Sequence, residues 1–252
     1  MLAGMASPAP ELARRGGYFA QTRSATYAAA LALPVMALYE VSIRAVDAST
    51  GTGVRNGADA ILRGFIARFG PTGSLVLPGA VTLVLVGMAL RERRRGVRLR
   101  RGYLLFAVLE ALAYALVLGG VVGRLTALVL PHRMALGTGL AGMPLWAQVV
   151  LSLGAGFYEE VLFRGLVLGG LRGLFALAGV RPLLRDAVAV FLSAALFSAY
   201  HHLLGDPFSV GVFVFRLIAG LVLSVLLVLR GFGITVLTHA FYDVLFSLGL
   251  AM

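Results

Sequence analysis

The sequence predicts an all-α protein, a polytopic bundle of about seven transmembrane helices (six to eight) with one short interfacial helix. Three observations predict it. Of the 252 residues, 60% are apolar and only 13% are charged, against roughly 45–50% and about 25% in ordinary soluble domains. The mean hydropathy of +0.93 implies more apolar surface than one core of this size can hide. The apolar residues also fall into runs of about 20, the length that crosses a bilayer. Cysteine is absent, which excludes disulfides, thiolate nucleophiles and Cys-ligated metals.

The elements follow in order. Residues 1–24 read as a polar cytoplasmic segment carrying Arg14, Arg15 and Arg23, and 25–252 as a single membrane domain. The basic region is too long for a cleaved leader and the apolar run after it is long enough to span, so an uncleaved anchor is expected over Ala25 to Val46, kinked at Pro34. Ile61, Leu62, Phe65, Ile66 and Phe69 recur at helical spacing opposite Arg63 and Arg68, which predicts the interfacial helix. Further spans are expected over Thr72–Leu90, Gly102–Val122, Leu145–Leu168, Asp186–Leu204, Phe208–Leu229 and Phe232–Leu250.

The net charge of +11 comes from 22 arginines, with no lysine, against 11 acids. No polar stretch is long enough for a nucleic-acid-binding domain, so the arginines read as topogenic and as contacts to anionic lipid. With the N terminus inside, 14 arginines lie in inner segments and six in outer ones. That excess predicts a cytoplasmic N terminus. The arginine-only basic composition and short loops suggest a bacterial cytoplasmic membrane.

Ionisable residues inside spans are expensive, and function is sought there first. The segment G-A-G-F-Y-E-E-V-L-F-R-G puts Glu159, Glu160 and Arg164 deep within the fourth span. Glu160 and Arg164 stand i to i+4 and can pair, whereas Glu159 points about 100° away and needs another partner. The fifth span offers Phe197, His201 and His202. On the seventh, Thr235, His239 and Asp243 repeat every four residues as one polar stripe that must face protein or a water-filled cavity.

Three motifs in order, E-E-x-x-x-R at Glu159–Arg164, F-x-x-x-H at Phe197–His201 and H-x-x-x-D at His239–Asp243, resemble the CPBP (Abi) family of intramembrane proteases, which includes the type II CAAX prenyl endopeptidases. The resemblance covers about 145–250. It implies hydrolysis of a peptide bond within the membrane, with Glu159 as general base toward a water that His201 also holds. His239 and Asp243 match positions that stabilise the oxyanion in the family. Glu160 and Arg164 would be a supporting ion pair, and Phe197 packing. The family's last motif often ends in Asn, and an ionised Asp243 can only accept hydrogen bonds. It is therefore expected to orient His239 by accepting its ring N–H, or else to be protonated.

A metal-free water activated by glutamate is expected, with zinc on His201, His239 and a carboxylate as the alternative; no H-E-x-x-H motif is present. A depth count places His201 about 24 Å and His239 about 14 Å from the inner side, so the two meet if the fifth helix tilts, starts late or follows a partly submerged loop around Arg181. Ordinary structural roles are expected elsewhere: packing for His202, solvation for His132, an ion pair of Glu110 and Arg216 with each other or with the site. Gly165, Gly169 and Gly173 suggest close helix packing, and Trp146 an interface anchor.

Two other functions stay open. A non-catalytic scaffold or bacteriocin-immunity protein could share the fold, although such a chain is expected to lose Glu159 or a motif histidine. A transporter would need paired broken helices in both halves, and the N-terminal half has no counterpart to these charges. The expected substrate is a membrane-associated peptide or protein, prenylated CAAX-type or another small precursor. Oligomeric state is not legible, because small-residue faces serve packing within and between chains alike.

Overall fold

The computed structural model describes residues 16–51, 53–68, 70, 73–130, 142–203 and 207–250. Arg14, Arg15, Phe69, His132 and Arg133 fall outside them. Among the described residues the regular structure is helical, with no strand. A short helix α1 (Tyr18–Thr22) leads into α2 (Ala25–Thr50), followed by α3 (Gly57–Ala67), α4 (Gly73–Arg94) and α5 (Arg101–Val129). The C-terminal half opens with an unbroken helical run in three parts: α6 (Leu145–Gly154), a π-helical segment (Ala155–Leu168) and α7 (Gly169–Leu177). Then come α8 (Pro182–Leu203), α9 (Val210–Arg230) and α10 (Phe232–Ser247). The expected spans all appear as helices. The third continues beyond its expected end at Val122, because Arg124 is exposed on the last turns and does not break it.

Among the described residues four helices, α2, α5, α8 and α9, are long and apolar enough to cross a membrane. Their outer faces carry exposed large apolar side chains such as Leu105, Leu128, Leu183, Phe191 and Val225, surface suited to acyl chains rather than water. The helix α10 is the central post. It packs against α2, α5, α6, the π-helical segment and α9, and its residues 233–240 are all buried. Gly231 alone links α9 to α10 with φ +82°, a left-handed conformation that glycine adopts without strain.

The run G-A-G before the glutamates lets this helix approach its neighbours closely. A Cβ on Gly154 would lie 2.4 Å from the Tyr39 ring of α2, and one on Gly156 would lie 2.5 Å from the backbone nitrogen of Ala240 on α10. No such contact occurs at Gly165, where a Cβ would meet only the Glu160 carbonyl at 3.9 Å. At Gly165, then, no close helix approach depends on the missing side chain. Gly156→Ala is expected to lower unfolding stability by about 1–3 kcal/mol, because backbone rather than a flexible side chain must yield. Denaturation in detergent measures it.

The helix α3 is present, and its buried side carries Asp59 and Arg63 as well as the apolar Ala58 and Leu62. Asp59 and Arg63 are buried while Ile61 and Phe65 are exposed. Asp59 is bonded by Tyr39, Arg55 and Arg63, and Arg63 also reaches Glu40. Against a bundle that supplies partners, buried charge is tolerated and the apolar side can face lipid. Glu110 does not pair with Arg216. Its carboxylate is held by Arg230, Tyr18 and Tyr114. His202 packs its ring against Phe208 and Phe213.

Candidate active site

The glutamates sit in the π-helical segment, a winding that is rare in proteins and frequent at functional sites. Ser193 of α8 donates to the Phe163 carbonyl there, at 2.7 Å. Glu159 and Glu160 are both buried, at 3% and 0% exposure, and they face different neighbours.

Glu160 lies between two cationic or donor groups. Arg164 Nη1 stands 3.0 Å from Glu160 Oε1, and His239 Nδ1 is 2.7 Å from the same oxygen. Arg164 also donates to the Gly220 carbonyl of α9 at 3.2 Å and lies over the Phe197 ring, 4.7 Å from its centre. The expected pair of Glu160 with Arg164 is present. The carboxylate at hydrogen-bond distance from the His239 ring is Glu160 and not Asp243, whose Oδ2 is 3.5 Å from Nε2. The carboxylate from the neighbouring helix holds Nδ1, and the one on the histidine's own helix lies beside Nε2.

Glu159 has one oxygen tied and one aimed. Its Oε1 accepts from the Tyr200 hydroxyl and, at 3.0 Å, from the Asn56 amide. Its Oε2 faces His201 Nε2 at 3.9 Å and His239 Nε2 at 3.8 Å. These separations are too long for direct hydrogen bonds and of the length that one water bridges. His201 Nδ1 is 2.8 Å from the Phe197 carbonyl. A carbonyl can only accept, so Nδ1 carries a proton, and the ring in its neutral form has its lone pair at Nε2. The four-residue spacing of Phe197 and His201 therefore works through the backbone, while the Phe197 ring packs edge-on against His201 and His239.

The two histidines thus share one carboxylate, despite the depth count. The helix α8 begins at Pro182, earlier than expected, so a late start is not the reason. Arg216 of α9 acts electrostatically on Asp243 and Tyr200, which places it with the site rather than with Glu110. The side chains of His201 and Asp243 are 20% and 29% exposed, against 4% for Glu159, so the open side of the site is theirs. Among the described residues no three His, Asp or Glu side chains converge closely enough to hold a metal ion.

Asn56 and Tyr200 were not among the residues read from sequence. Asn56 starts α3 in the pattern N-G-A-D, a helix-start signal, but no spacing rule connects it to a carboxylate 103 positions away. Tyr200 directly precedes His201 and reads as one more aromatic residue in an apolar run.

No curated protein and no solved structure matches this chain. One family model does, that of "Type II CAAX prenyl endopeptidase Rce1-like", over residues 141–245. That stretch contains Glu159, Glu160, Arg164, His201, His239 and Asp243, and its order of motifs is the one the geometry has just brought together. Over residues 141–245 this chain is therefore similar to the Rce1-like type II CAAX prenyl endopeptidases.

Proposed function

We propose that the protein is an intramembrane endopeptidase that hydrolyses a peptide bond of a membrane-associated substrate, CAAX-type precursors included, by means of a water activated by Glu159. The observation that carries this reading is the aim of Glu159 Oε2 at the Nε2 atoms of two histidines, 3.8 and 3.9 Å away. A water between Oε2 and His201 would donate one hydrogen to the carboxylate and the other to the Nε2 lone pair. Its oxygen lone pair is then turned to a scissile carbonyl arriving from the open side beside His201 and Asp243. Glu159 takes the proton as the oxygen attacks and returns it to the leaving amine.

Oxyanion stabilisation falls to His239. As an imidazolium it donates from Nδ1 to Glu160 and offers Nε2–H to the developing charge, in a site dry enough for that bond to be strong. Asp243, 3.5 Å from the same nitrogen, limits how far the ring can swing. Burial of Glu159 keeps bulk water from competing, so the attacking water is the one the site holds. Arginine distribution supports an N terminus at the cytoplasmic face, with the exposed arginines between α4 and α5 on the same side.

The reading is tested with detergent-purified protein and a labelled peptide library, prenylated and unprenylated, with and without chelator. Cleavage that is indifferent to chelator is the expected result. Cleavage lost to chelator and restored by zinc would replace the glutamate-activated water with a metal-bound one. An inert protein beside an active protease of the same family would favour a non-catalytic role.

A further inference from the structure

The amide of Asn56 is committed at both ends. Its Oδ1 accepts from the backbone N–H groups of Ala58, at 2.9 Å, and Asp59, at 3.4 Å, which makes Asn56 the N-cap of α3. That assignment fixes which end is oxygen, so Nδ2 is the end that meets Glu159 Oε1 at 3.0 Å. The backbone N–H of Asn56 donates to the Tyr39 hydroxyl at 3.2 Å, and that hydroxyl donates to Asp59 at 2.9 Å. From Asp59 the chain of bonds runs through Arg63 to Glu40 and on to the hydroxyl of Tyr158. Tyr158 immediately precedes Glu159, so the chain of bonds ends beside the residue whose carboxylate Asn56 holds.

We infer that Asn56 is a positioning residue for the hydrolytic carboxylate: the N-cap of α3 holds Glu159 Oε1 and thereby aims Oε2 at the water site. The inference rests on Glu159 being the base. It gives the buried polar face of α3 a purpose, since Asp59, Arg63 and Glu40 brace the helix whose first residue sets the carboxylate. The other groups around Glu159 are Tyr200 and His201 from α8, and His239 and Asp243 from α10. Of these, Tyr200 holds the same oxygen as Asn56, and the remainder lie toward Oε2 or beyond it. Loss of Asn56 thus leaves Oε1 with the Tyr200 hydroxyl as its one donor, about which the carboxylate can pivot.

Two substitutions separate aim from folding. Asn56→Ser and Asn56→Asp both keep a good N-cap oxygen, yet Ser has no group that reaches Glu159, and Asp presents an acceptor where a donor stood. Both are expected to lower kcat about 10- to 100-fold, the cost of a misplaced reacting group, with KM and the unfolding midpoint unchanged and Asp the worse of the two. A second readout needs no substrate. In protein with isotope-labelled glutamate, the infrared carboxylate band that disappears in Glu159→Gln is expected to move in Asn56→Ser.

An unmoved band with wild-type kcat would overturn the inference. So would kcat and unfolding midpoint falling together in both variants, which would mark Asn56 as merely structural. A band that moves in a protein that cleaves nothing would uphold the positioning role while the protease reading failed.

Discussion

Glu159→Gln is expected to lower kcat by about 10²–10⁴-fold, the range for loss of a positioned general base, and to leave the unfolding midpoint where it is. Glutamine is isosteric, and its carbonyl oxygen can still accept from the Asn56 amide and the Tyr200 hydroxyl that hold Glu159 Oε1. What it cannot do is take a proton from water. Because the interactions that seat the side chain survive, KM is expected to stay near the wild-type value while kcat falls. That split marks an interaction made in the transition state rather than in the ground state. Single-turnover cleavage at saturating substrate gives the comparison directly. Activity within a few-fold of wild type would transfer the base to another group and remove Glu159 from the chemistry.

The helices were readable because a bilayer imposes a length and an apolar composition that no turn can imitate. The site was readable for the same reason inverted. Glu159, Glu160, Arg164, His239 and Asp243 stand out only because their surroundings are so uniformly apolar. Contacts that depend on which helix lies beside which were not readable. Glu110 found Arg230 rather than Arg216, since Arg230 had been counted as a loop charge. It lies at the last residue of α9, beside α1 and α5.

Asn56 and the inward polar face of α3 escaped for a related reason. Amphipathic spacing gives two faces but not which one meets protein, and an interfacial helix was expected without partners for its charged side. A buried carboxylate and guanidinium can occupy the inner side only when Tyr39, Arg55 and Glu40 are already there to partner them, and that is a property of the assembled bundle. The π-helical winding over Ala155–Leu168 likewise leaves no periodic signature in so apolar a run.

Glu160→Gln should behave as the opposite of its neighbour, with a loss of about 3–5 kcal/mol in unfolding stability, the cost of removing one partner from a buried ion pair. Arg164 is 1% exposed and Glu160 fully buried. The guanidinium would keep the Gly220 carbonyl and the Phe197 ring as neighbours, neither of which carries a compensating charge. Adding Arg164→Met to Glu160→Gln removes the stranded charge and is expected to recover most of the lost stability, because an apolar replacement of both partners is often neutral. Activity should not return with it. His239 Nδ1, 2.7 Å from this side chain, then meets a neutral amide oxygen instead of a carboxylate, and an imidazole without that charge beside it does not readily carry the second proton offered to the oxyanion. Chemical denaturation and cleavage assays on the single and double variants measure both outcomes. A double variant that regained activity along with stability would show that Glu160 serves only to neutralise Arg164, and the orientation of His239 would have to come from Asp243.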